Sequence, residues 1–334
     1  MADRRSVVIT GASAGVGRAI ALRFAREGAR LTLIARSQEG LESARREVAA
    51  LSGEAIILAL DVADAEAVDR AAQSAVDRWG GIDVWINYAM VTMFAPLSAM
   101  SAEEYKRITE VDYLGYVYGT MAALRHMRPH NSGTIIQIAS ALSHRAIPLQ
   151  SAYCGAKFAI RGFTEALRSE LIHDKLDIRL VMVQLPAVNT PQFDWARNVF
   201  PRRPQPVPPI FAPEAIADKL YRASLTTPRD LWIGLPTLKI IAGGAAIPGF
   251  LDRYLARTGY KGQFTKEAQP PRHQDNLFEP SERPHETHGR FGEQSKNTVL
   301  AFSPIWLRSM IVALLLILLV AGLTFVLGHY NLSD

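Results

Sequence analysis

Cysteine is nearly absent from this sequence. Cys154 is the only one in 334 residues, so an intrachain disulfide is excluded and a reducing compartment is indicated. The chain also lacks the cysteine clusters of structural zinc sites. His273, His285 and His288 lie in a polar stretch without an ordered acidic scaffold, which favours solvated side chains over metal ligands. We therefore predict no bound metal, and a structural role for Cys154 because no partner base is identifiable.

Concentrated charge and internal repeats are missing as well. The net charge of +5 is modest, and no basic block carries interleaved aromatic residues, so no nucleic-acid partner is predicted. A weak attraction to anionic lipid remains compatible with this charge. No period of 20 to 50 residues is visible, which excludes solenoid and propeller architectures. The N-terminal Met-Ala-Asp-Arg-Arg contains no apolar signal segment.

What the first 261 residues do contain is a regular alternation of apolar runs and amphipathic helices. Such an alternation predicts an α/β domain with a doubly wound parallel sheet, the Rossmann fold, and it places ligands at the carboxyl edge of the strands. The predicted strands are 6–9, 30–35, 55–60, 82–86, 134–139, 178–184 and 231–233, and the predicted helices are 15–27, 38–51, 65–79, 102–127 and 152–173.

A glycine-rich turn lies between the first strand and the first helix. The segment Thr10-Gly-Ala-Ser-Ala-Gly-Val-Gly17 follows an apolar run and precedes a helical one, as a pyrophosphate-binding helix N-terminus requires. Glycines let the backbone approach phosphates, and the helix start offers free N–H groups. An ordinary tight turn is the alternative. The predicted nucleotide-binding residues here are Gly11, Ser13, Gly15, Val16 and Gly17.

The end of the second strand indicates which dinucleotide binds. This strand ends in Arg36-Ser37 and lacks the acid that would hydrogen-bond a ribose 2′-hydroxyl and repel a 2′-phosphate. Arginine beside a hydroxyl favours the phosphate. The alternative is a surface arginine before a helix that Ser37 caps. We predict NADP(H) in preference to NAD(H).

Tyr153 and Lys157 are the candidate catalytic pair. They are four residues apart, so one turn of helix would place a phenol and an ammonium on the same face. Ser140 lies thirteen residues before Tyr153, at the end of a strand-like run. A solvated helix face is the alternative for the pair alone, but the nucleotide turn and Ser140 favour a proton-transfer site.

With these motifs in this order, residues 6 to 260 resemble the short-chain dehydrogenase/reductase family. The resemblance implies carbonyl–alcohol interconversion, with Tyr153 as general acid or base and Ser140 bound to the reacting oxygen. It implies that Lys157 lowers the tyrosine pKa and reaches the nicotinamide ribose. It also assigns cofactor contacts to Asp61, Val62, Asn87, Pro186 and Thr190.

Two positions depart from the family pattern. Asp112 stands where the family usually has an asparagine that holds a proton-relay water, and an ionised Asp112 is expected to pair with Lys157. Tyr88 and Met90 replace a smaller asparagine and a glycine beside the cofactor. These departures leave a second hypothesis open: a catalytically weak or inactive NADP(H)-binding membrane adaptor or sensor.

A proline-rich stretch at about 185–211 interrupts the alternation. Its position after Tyr153 predicts a substrate lid with an apolar lining. A stiff surface loop is the alternative. The predicted lining residues are Phe193, Trp195, Phe200 and Phe211.

The C-terminal seventy residues change in character. Residues 262–304 are polar with sparse apolar positions and are predicted to form a flexible linker. Residues 310–327 then run eighteen positions without a charge, so a transmembrane helix is predicted at 305–328, followed by a tail at 329–334. A buried core helix is the alternative. The lipid bilayer is thus a predicted partner, through a single-pass C-terminal anchor.

Together these features predict a membrane-anchored oxidoreductase that transfers hydride between NADP(H) and an apolar carbonyl or secondary alcohol. The absence of a signal segment and the position of Arg308 before the apolar run predict a cytoplasmic catalytic domain. The family resemblance further implies dimers or tetramers through the helices that carry Asp112 and Tyr153.

Overall fold

The computed structural model describes residues 4–270 and 274–304, together with Ser309, Ala313, Leu316, Ile317 and Val320. The helices are α1 Gly15–Ala25, α2 Gln38–Ala50, α3 Ala65–Trp79, α4 Ala102–Thr109, α5 Gly115–Met127, α6 Ser151–His173, α7 Gln192–Trp195, α8 Pro213–Thr226, α9 Leu235–Ala246 and α10 Pro248–Gly262.

The strands fall into one large sheet and three small ones. The large sheet contains β1 Ser6–Thr10, β2 Arg30–Ala35, β3 Glu54–Ala59, β4 Val84–Asn87, β6 Gly133–Ser140, β7 Ile178–Leu185, β11 Asp230–Ile233 and β14 Ala301–Phe302. The shorter strands are β5 Met93–Phe94, β8 Arg197–Asn198, β9 Arg202–Pro204, β10 Ile210–Phe211, β12 Phe264–Ala268 and β13 Ser295–Lys296.

The large sheet has the order β14-β11-β7-β6-β4-β1-β2-β3. Seven of its strands pair in parallel, and β14 joins the edge antiparallel to β11. The predicted doubly wound parallel sheet is confirmed. Since the carboxyl ends of parallel strands meet at one edge, the loops after β1, β2, β4 and β6 converge there.

Successive side chains of the central strands point to opposite faces of the sheet, so each face has its own hydrophobic core. On β1, Val7 and Ile9 belong to the core that α1, α2 and α8 cover, whereas Val8 belongs to the core under α3, α5 and α6. The residues of both cores are buried, and burial of apolar surface is the main stabilising contribution in a domain of this size. The helices thus cover both faces, and only the sheet edges remain for ligands.

Local sequence signals set several helix ends. The Ser37 hydroxyl accepts a hydrogen bond from the Gly40 N–H and caps α2, as the capping alternative predicted. At α3, Asp64 caps the start, and Gly80 ends the helix in a left-handed conformation that glycine adopts without strain. Such caps explain why the boundaries of α2 and α3 follow the sequence pattern closely.

The single helix predicted at 102–127 is interrupted. Residues Glu110–Leu114 form a π-helical turn between α4 and α5. The wider turn changes which side chains face inward, and it buries Asp112 completely. Apolar periodicity spans the whole stretch, so the pattern does not predict this break.

The C-terminal region differs from the predicted flexible linker at 262–304. Within the described part of this region, β12 pairs with β9, β13 with β10, and β14 with β11. Leu277, Phe291 and Val299 are buried against the domain. The apolar residues are too few to form a core by themselves, but each fills space between elements of the large domain.

The predicted transmembrane helix at 305–328 lies mostly outside the described residues. Among the residues that are described, no helix has both the length and the apolarity needed to cross a bilayer.

Candidate active site

Two cavities open at the carboxyl edge of the sheet. The glycine-turn cavity has a volume of about 120 Å³ and is lined by the turn after β1, the ends of β2 and β3, and residues of the C-terminal region. The apolar cavity has a volume of about 550 Å³ and extends from Ser140 and Tyr153 to α9 and α10. Tyr88, Met90 and Thr190 line both cavities, so the two are adjacent.

The glycine turn is built as the sequence predicted. Gly11 has φ +72°, and a Cβ there would lie 2.8 Å from the Ala89 Cα. At Gly17 a Cβ would lie 2.1 Å from the Gly11 carbonyl oxygen. Only glycine allows such close packing between the turn, α1 and the loop after β4. Gly11, Ser13 and Gly15 line the glycine-turn cavity, and Val16 and Gly17 lie in the first turn of α1.

The residues predicted to contact the adenosine part of a dinucleotide also line the glycine-turn cavity. Arg36, Ser37, Asp61 and Val62 all line this cavity. The Asp61 carboxylate accepts a hydrogen bond from the Ala63 N–H and pairs with the guanidinium of Arg107. Because Arg107 holds Asp61 in place, the carboxylate has a fixed orientation at the end of β3.

Residues 274–290, called the strap below, cross this cavity and contact its hydrogen-bond donors. The Gly15 N–H donates to the Glu286 carbonyl at 2.9 Å. Arg36 donates to the carbonyls of Phe278 at 2.7 Å and Asn276 at 2.5 Å. Backbone oxygens of the strap therefore accept hydrogen bonds from donors that were predicted to bind the cofactor phosphates.

The side chain of Tyr88 accepts a hydrogen bond from a further backbone donor of the glycine turn, the Val16 N–H. Burial raises the pKa of Tyr88 far above its ordinary value of 10.0. The protonated phenol thus stays beside the first turn of α1, where its ring lies against Gly17.

These residues fit a dinucleotide in type and in placement. The glycine turn, the arginine at the end of β2 and the carboxylate at the end of β3 line one continuous cavity. The donors at Gly15, Val16 and Arg36 point to acceptors, as phosphate binding requires, although the acceptors in this structure belong to the protein itself.

Ser140, Tyr153 and Lys157 come together at the inner end of the apolar cavity. Ser140 lies at the end of β6, and the other two lie on the first turns of α6. Ser140 and Tyr153 share a hydrogen bond. The Lys157 ammonium lies 5.4 Å from the centre of the Tyr153 ring, and it donates to the Tyr116 hydroxyl at 3.1 Å and the Ile138 carbonyl at 3.3 Å.

The electrostatics of Tyr153 are opposite to the direction predicted. Burial raises the pKa of Tyr153 well above its ordinary value of 10.0, and the charge of Asp112 raises it further. The hydrogen bond from Ser140 lowers this pKa. The prediction of an acidified phenol was wrong because the Lys157 ammonium lies toward Tyr116 and Asp112, while Tyr153 loses its hydration.

Asp112 and Lys157 form a buried pair of opposite charges. Burial raises the pKa of Asp112, and the charge of Lys157 opposes this rise. Burial lowers the pKa of Lys157, and Asp112 opposes that fall. One oxygen of Asp112, Oδ1, accepts the Val91 N–H at 2.8 Å, whereas Oδ2 is buried without a hydrogen-bond partner among the described residues. Asp112 thus acts on Lys157 through its charge and anchors the loop after β4.

The other residues predicted to contact the cofactor are Pro186, Thr190 and Asn87. Pro186 lines the apolar cavity, and Thr190 lines both. Asn87 differs from its predicted role as a cofactor contact, because its side chain is fully buried and bonded to Trp85, Thr120 and Gln137. It therefore braces β4 against α5 and β6.

The four aromatic residues predicted to line the lid lie in different surroundings. Phe193 lines the apolar cavity, together with residues 205–209 of the proline-rich stretch. Trp195 instead lines the glycine-turn cavity and contacts His285, with ring centres 4.8 Å apart. Phe200 packs on Phe264, and Phe211 belongs to a core. Aromatic identity alone does not show which cavity a lid residue faces.

Two parts of the site were not predicted from the sequence. Tyr116, which binds Lys157, carried no motif, although its position four residues after Asp112 on the same helical stretch was a usable signal. Helices α9 and α10, which close the apolar cavity, were read only as the end of the domain.

The chain is similar in sequence to known proteins. The short chain dehydrogenase family matches the sequence over residues 5–198. An oxidoreductase of Bacillus subtilis (strain 168), YxnA, is 31% identical over 275 residues, which are 82% of this chain and 77% of YxnA. Sorbitol dehydrogenase of Cereibacter sphaeroides is 33% identical over 180 residues, 54% of this chain and 69% of that enzyme.

A solved structure is similar over most of its length. The X-ray structure of an alcohol dehydrogenase from the archaeon Thermococcus sibiricus, complexed with 5-hydroxy-NADP, superposes with a TM-score of 0.59 at 29% sequence identity. The match covers 69% of this chain and 96% of that structure.

Proposed function

The chain belongs to the short-chain dehydrogenase family and is an NAD(P)-dependent oxidoreductase acting on CH–OH or C=O groups; from this premise we propose that it reduces lipophilic carbonyl compounds with NADPH. The observation that carries the proposal is the apolar cavity of about 550 Å³, which begins at Ser140 and Tyr153. A cavity of this size holds a substrate larger than a short alcohol.

Tyr153 and Ser140 perform the proton chemistry at the inner end of this cavity. The nicotinamide cofactor supplies the hydride when it is bound. Tyr153 holds a proton on its hydroxyl, because its pKa is raised, and gives this proton to the substrate oxygen during reduction. Ser140 orients that oxygen by a hydrogen bond, and the positive charge of Lys157, 5.4 Å from the centre of the Tyr153 ring, partly offsets the cost of forming a buried phenolate.

The preference for NADP(H) rests on Arg36. Its guanidinium lines the glycine-turn cavity at the end of β2, where an acid would repel a 2′-phosphate. Two of its N–H groups are directed at acceptors in this cavity, a geometry that suits phosphate oxygens.

Replacing Arg36 with glutamine is therefore expected to change cofactor preference. The ratio of the Kd for NADPH to the Kd for NADH should rise about 10- to 100-fold, since hydrogen bonds to a charged group are worth about 1.5–3 kcal/mol. Fluorescence titration with each nucleotide measures both constants. An unchanged ratio would show that Arg36 does not bind the 2′-phosphate, whatever happens to the absolute affinities.

We place the enzyme at a membrane on the basis of the sequence. Residues 310–327 contain no charged residue, and the polar region before them connects them to the catalytic domain. The proposed arrangement is a single-pass C-terminal anchor with the catalytic domain in the cytoplasm. Resistance of the full chain to alkaline carbonate extraction tests it, and release into the supernatant would contradict it.

A nucleotide-binding adaptor without turnover is the second candidate function. It is favoured by the donors at Gly15, Val16 and Arg36, which are already bonded within the protein, and by Asp112 beside Lys157. NADPH binding without turnover of any carbonyl in a broad panel, and gain of turnover in Asp112→Asn, would identify this function. Self-association through α5 and α6 stays a prediction.

A further inference from the structure

The α9–α10 hairpin, residues 235–262, exposes a row of large apolar side chains. Phe250 is 62% exposed, Tyr254 52%, and Leu235 and Ile247 49% each. Exposed apolar residues that cluster on one element mark a surface that contacts a partner or a membrane. Three of these residues lie on the two helices that close the apolar cavity, and Ile247 lies between the helices, so the exposed surface lies at the cavity wall.

The charge of the same hairpin indicates the partner. It contains four basic residues, Lys239, Arg253, Arg257 and Lys261, and a single acid, Asp252. That acid pairs with Arg145 at 2.6 Å, so its charge is compensated within the protein. Aromatic and aliphatic residues beside basic ones are typical of helices that lie in the headgroup region of an anionic bilayer.

The wall of the cavity and the exposed surface share a residue. Tyr254 lines the apolar cavity and is half exposed, and Leu251 and Leu255 on the same helix also line the cavity. We propose that the α9–α10 hairpin docks on an anionic lipid surface and passes lipophilic substrate from the bilayer into the apolar cavity. The second clause rests on the proposed function; docking itself does not.

The lone cysteine makes a direct test possible. Cys154 is 2% exposed, so a cysteine introduced at the surface is the reactive thiol. We would label the full-length Phe250→Cys protein with an environment-sensitive fluorophore and add vesicles of phosphatidylcholine, with or without phosphatidylglycerol. Ile172→Cys is the matched control, because Ile172 is an exposed aliphatic residue, 72% exposed, at the far end of α6.

We expect the label at position 250 to shift to the blue on vesicles that contain phosphatidylglycerol, and the label at 172 to stay unchanged. Replacing Arg253 and Arg257 with glutamine should weaken docking about thirtyfold. A label at 250 that remains aqueous on anionic vesicles overturns the proposal. So does a label that is already blue-shifted without lipid, since a second copy or the apolar C-terminal run would then cover the hairpin.

A parallel assay separates this inference from the proposed function. Reduction of a small water-soluble ketone is measured in the absence of vesicles for the same labelled proteins. The unlabelled parent enzyme is assayed beside them. If the parent does not reduce the ketone, the proposed function is contradicted and the docking result stands; if the parent reduces it and the label at position 250 does not shift, docking is contradicted and the proposed function stands.

A second, independent observation concerns the strap. Its carbonyl oxygens accept hydrogen bonds from Gly15 N–H, from Arg36 and from Arg18, which donates to the His285 carbonyl. Backbone oxygens thus take the positions that phosphate oxygens need at a helix N-terminus. The volume that remains, about 120 Å³, is below the roughly 300–1,000 Å³ of ligand sites.

The strap is held at several points along its length. Leu277 is fully buried in the core that contains Val62 and Ile108. Asp275 pairs with Arg197 at 2.9 Å, and the Gly289 N–H donates to the Asn189 carbonyl at 3.3 Å. We infer that the strap competes with the dinucleotide, so that cofactor binds only when the strap leaves the cavity.

Nucleotide affinity and proteolysis test this competition without an activity assay. Leu277→Ala should lower the Kd for 2′,5′-ADP about tenfold, which corresponds to 1.4 kcal/mol. Val299→Ala is the control, because Val299 is buried in the same region but outside the strap, and its Kd should not change. Saturating 2′,5′-ADP should also accelerate cleavage by a glutamate-specific protease at Glu286.

The opposite results overturn the competition. If 2′,5′-ADP protects Glu286 from cleavage, the strap covers a bound nucleotide. If Leu277→Ala weakens binding, the strap contributes to the nucleotide site. Either result contradicts displacement.

Discussion

Tyr153→Phe is expected to lower kcat for carbonyl reduction by about 10²–10⁴-fold, the usual contribution of a positioned general acid. The substitution removes one hydroxyl and keeps the ring, so the apolar cavity and the contact of the ring with Lys157 should persist. Burial keeps the phenol protonated, which makes it a proton reservoir for reduction at neutral pH. Steady-state kinetics with NADPH and a lipophilic ketone measure the loss.

A matched control separates this chemical role from a packing role. Tyr254→Phe removes a hydroxyl from another tyrosine that lines the same apolar cavity, on α10, and should leave kcat within about twofold. The Kd for NADPH should be similar in both variants, because binding does not require the proton. If Tyr153→Phe turns over at the parent rate, another group supplies the proton and the proposed mechanism is wrong.

Lys157→Met is expected to abolish measurable turnover and to destabilise the fold. Lys157 is 2% exposed, and its removal leaves the carboxylate of Asp112, which is 0% exposed, without a compensating charge. An unsatisfied buried polar group costs about 1–3 kcal/mol, more when it is charged. Removing the ammonium also raises the pKa of Asp112 further, since the Lys157 charge is the largest effect that lowers it.

Because the pKa of Asp112 is raised in the folded variant, the loss of stability depends on pH. Below the unfolded-state pKa of about 3.9 the carboxyl is protonated in both states and costs little. As pH rises above that value, the folded variant retains a proton that the unfolded chain releases, so stability falls with pH until the folded-state pKa is passed. In the parent the pKa of Asp112 is already raised to about 7, so the Tm of Lys157→Met should fall relative to that of the parent chiefly as the pH rises above 7, which thermal melting between pH 4 and pH 9 measures.

The double variant Asp112→Asn/Lys157→Met distinguishes electrostatics from packing. It removes both charges, so it should recover most of the lost Tm and the pH dependence should disappear, while turnover stays absent. Lack of recovery would mean that the contact of the Lys157 ammonium with the Tyr116 ring, 4.6 Å from the ring centre, stabilises the fold rather than the charge pair.

Some features of the site could be predicted from the sequence because they depend on residues that are close together in the chain. The strand, glycine turn and helix around Gly11 and Gly17 are consecutive in the chain, and the one-turn separation of Tyr153 and Lys157 is set by the helix itself. Ser140 could be added because parallel strands bring their carboxyl ends to one edge. Capping of α2 by Ser37 was visible for the same local reason.

Other features depend on partners that are far away in sequence. Arg36 binds Phe278 across 242 positions, and Arg18 binds His285 across 267. The strap was predicted as a linker because a polar segment with few apolar residues resembles disorder, and nothing local shows that Leu277 has a buried position to fill. The direction in which Lys157 points is a similar case, since Tyr116 competes for it from another helix.

The sequence by itself determined the parallel α/β framework, the glycine turn and the candidate proton-transfer residues, because periodicity, turn chemistry and one-turn spacings are local properties of the chain. Only the tertiary structure decided that burial raises the pKa of Tyr153, that a C-terminal segment occupies the phosphate donors and that α9 and α10 form an apolar cavity wall with an exposed outer face. Desolvation and competition for a donor depend on what surrounds a group, and that is set by the whole fold.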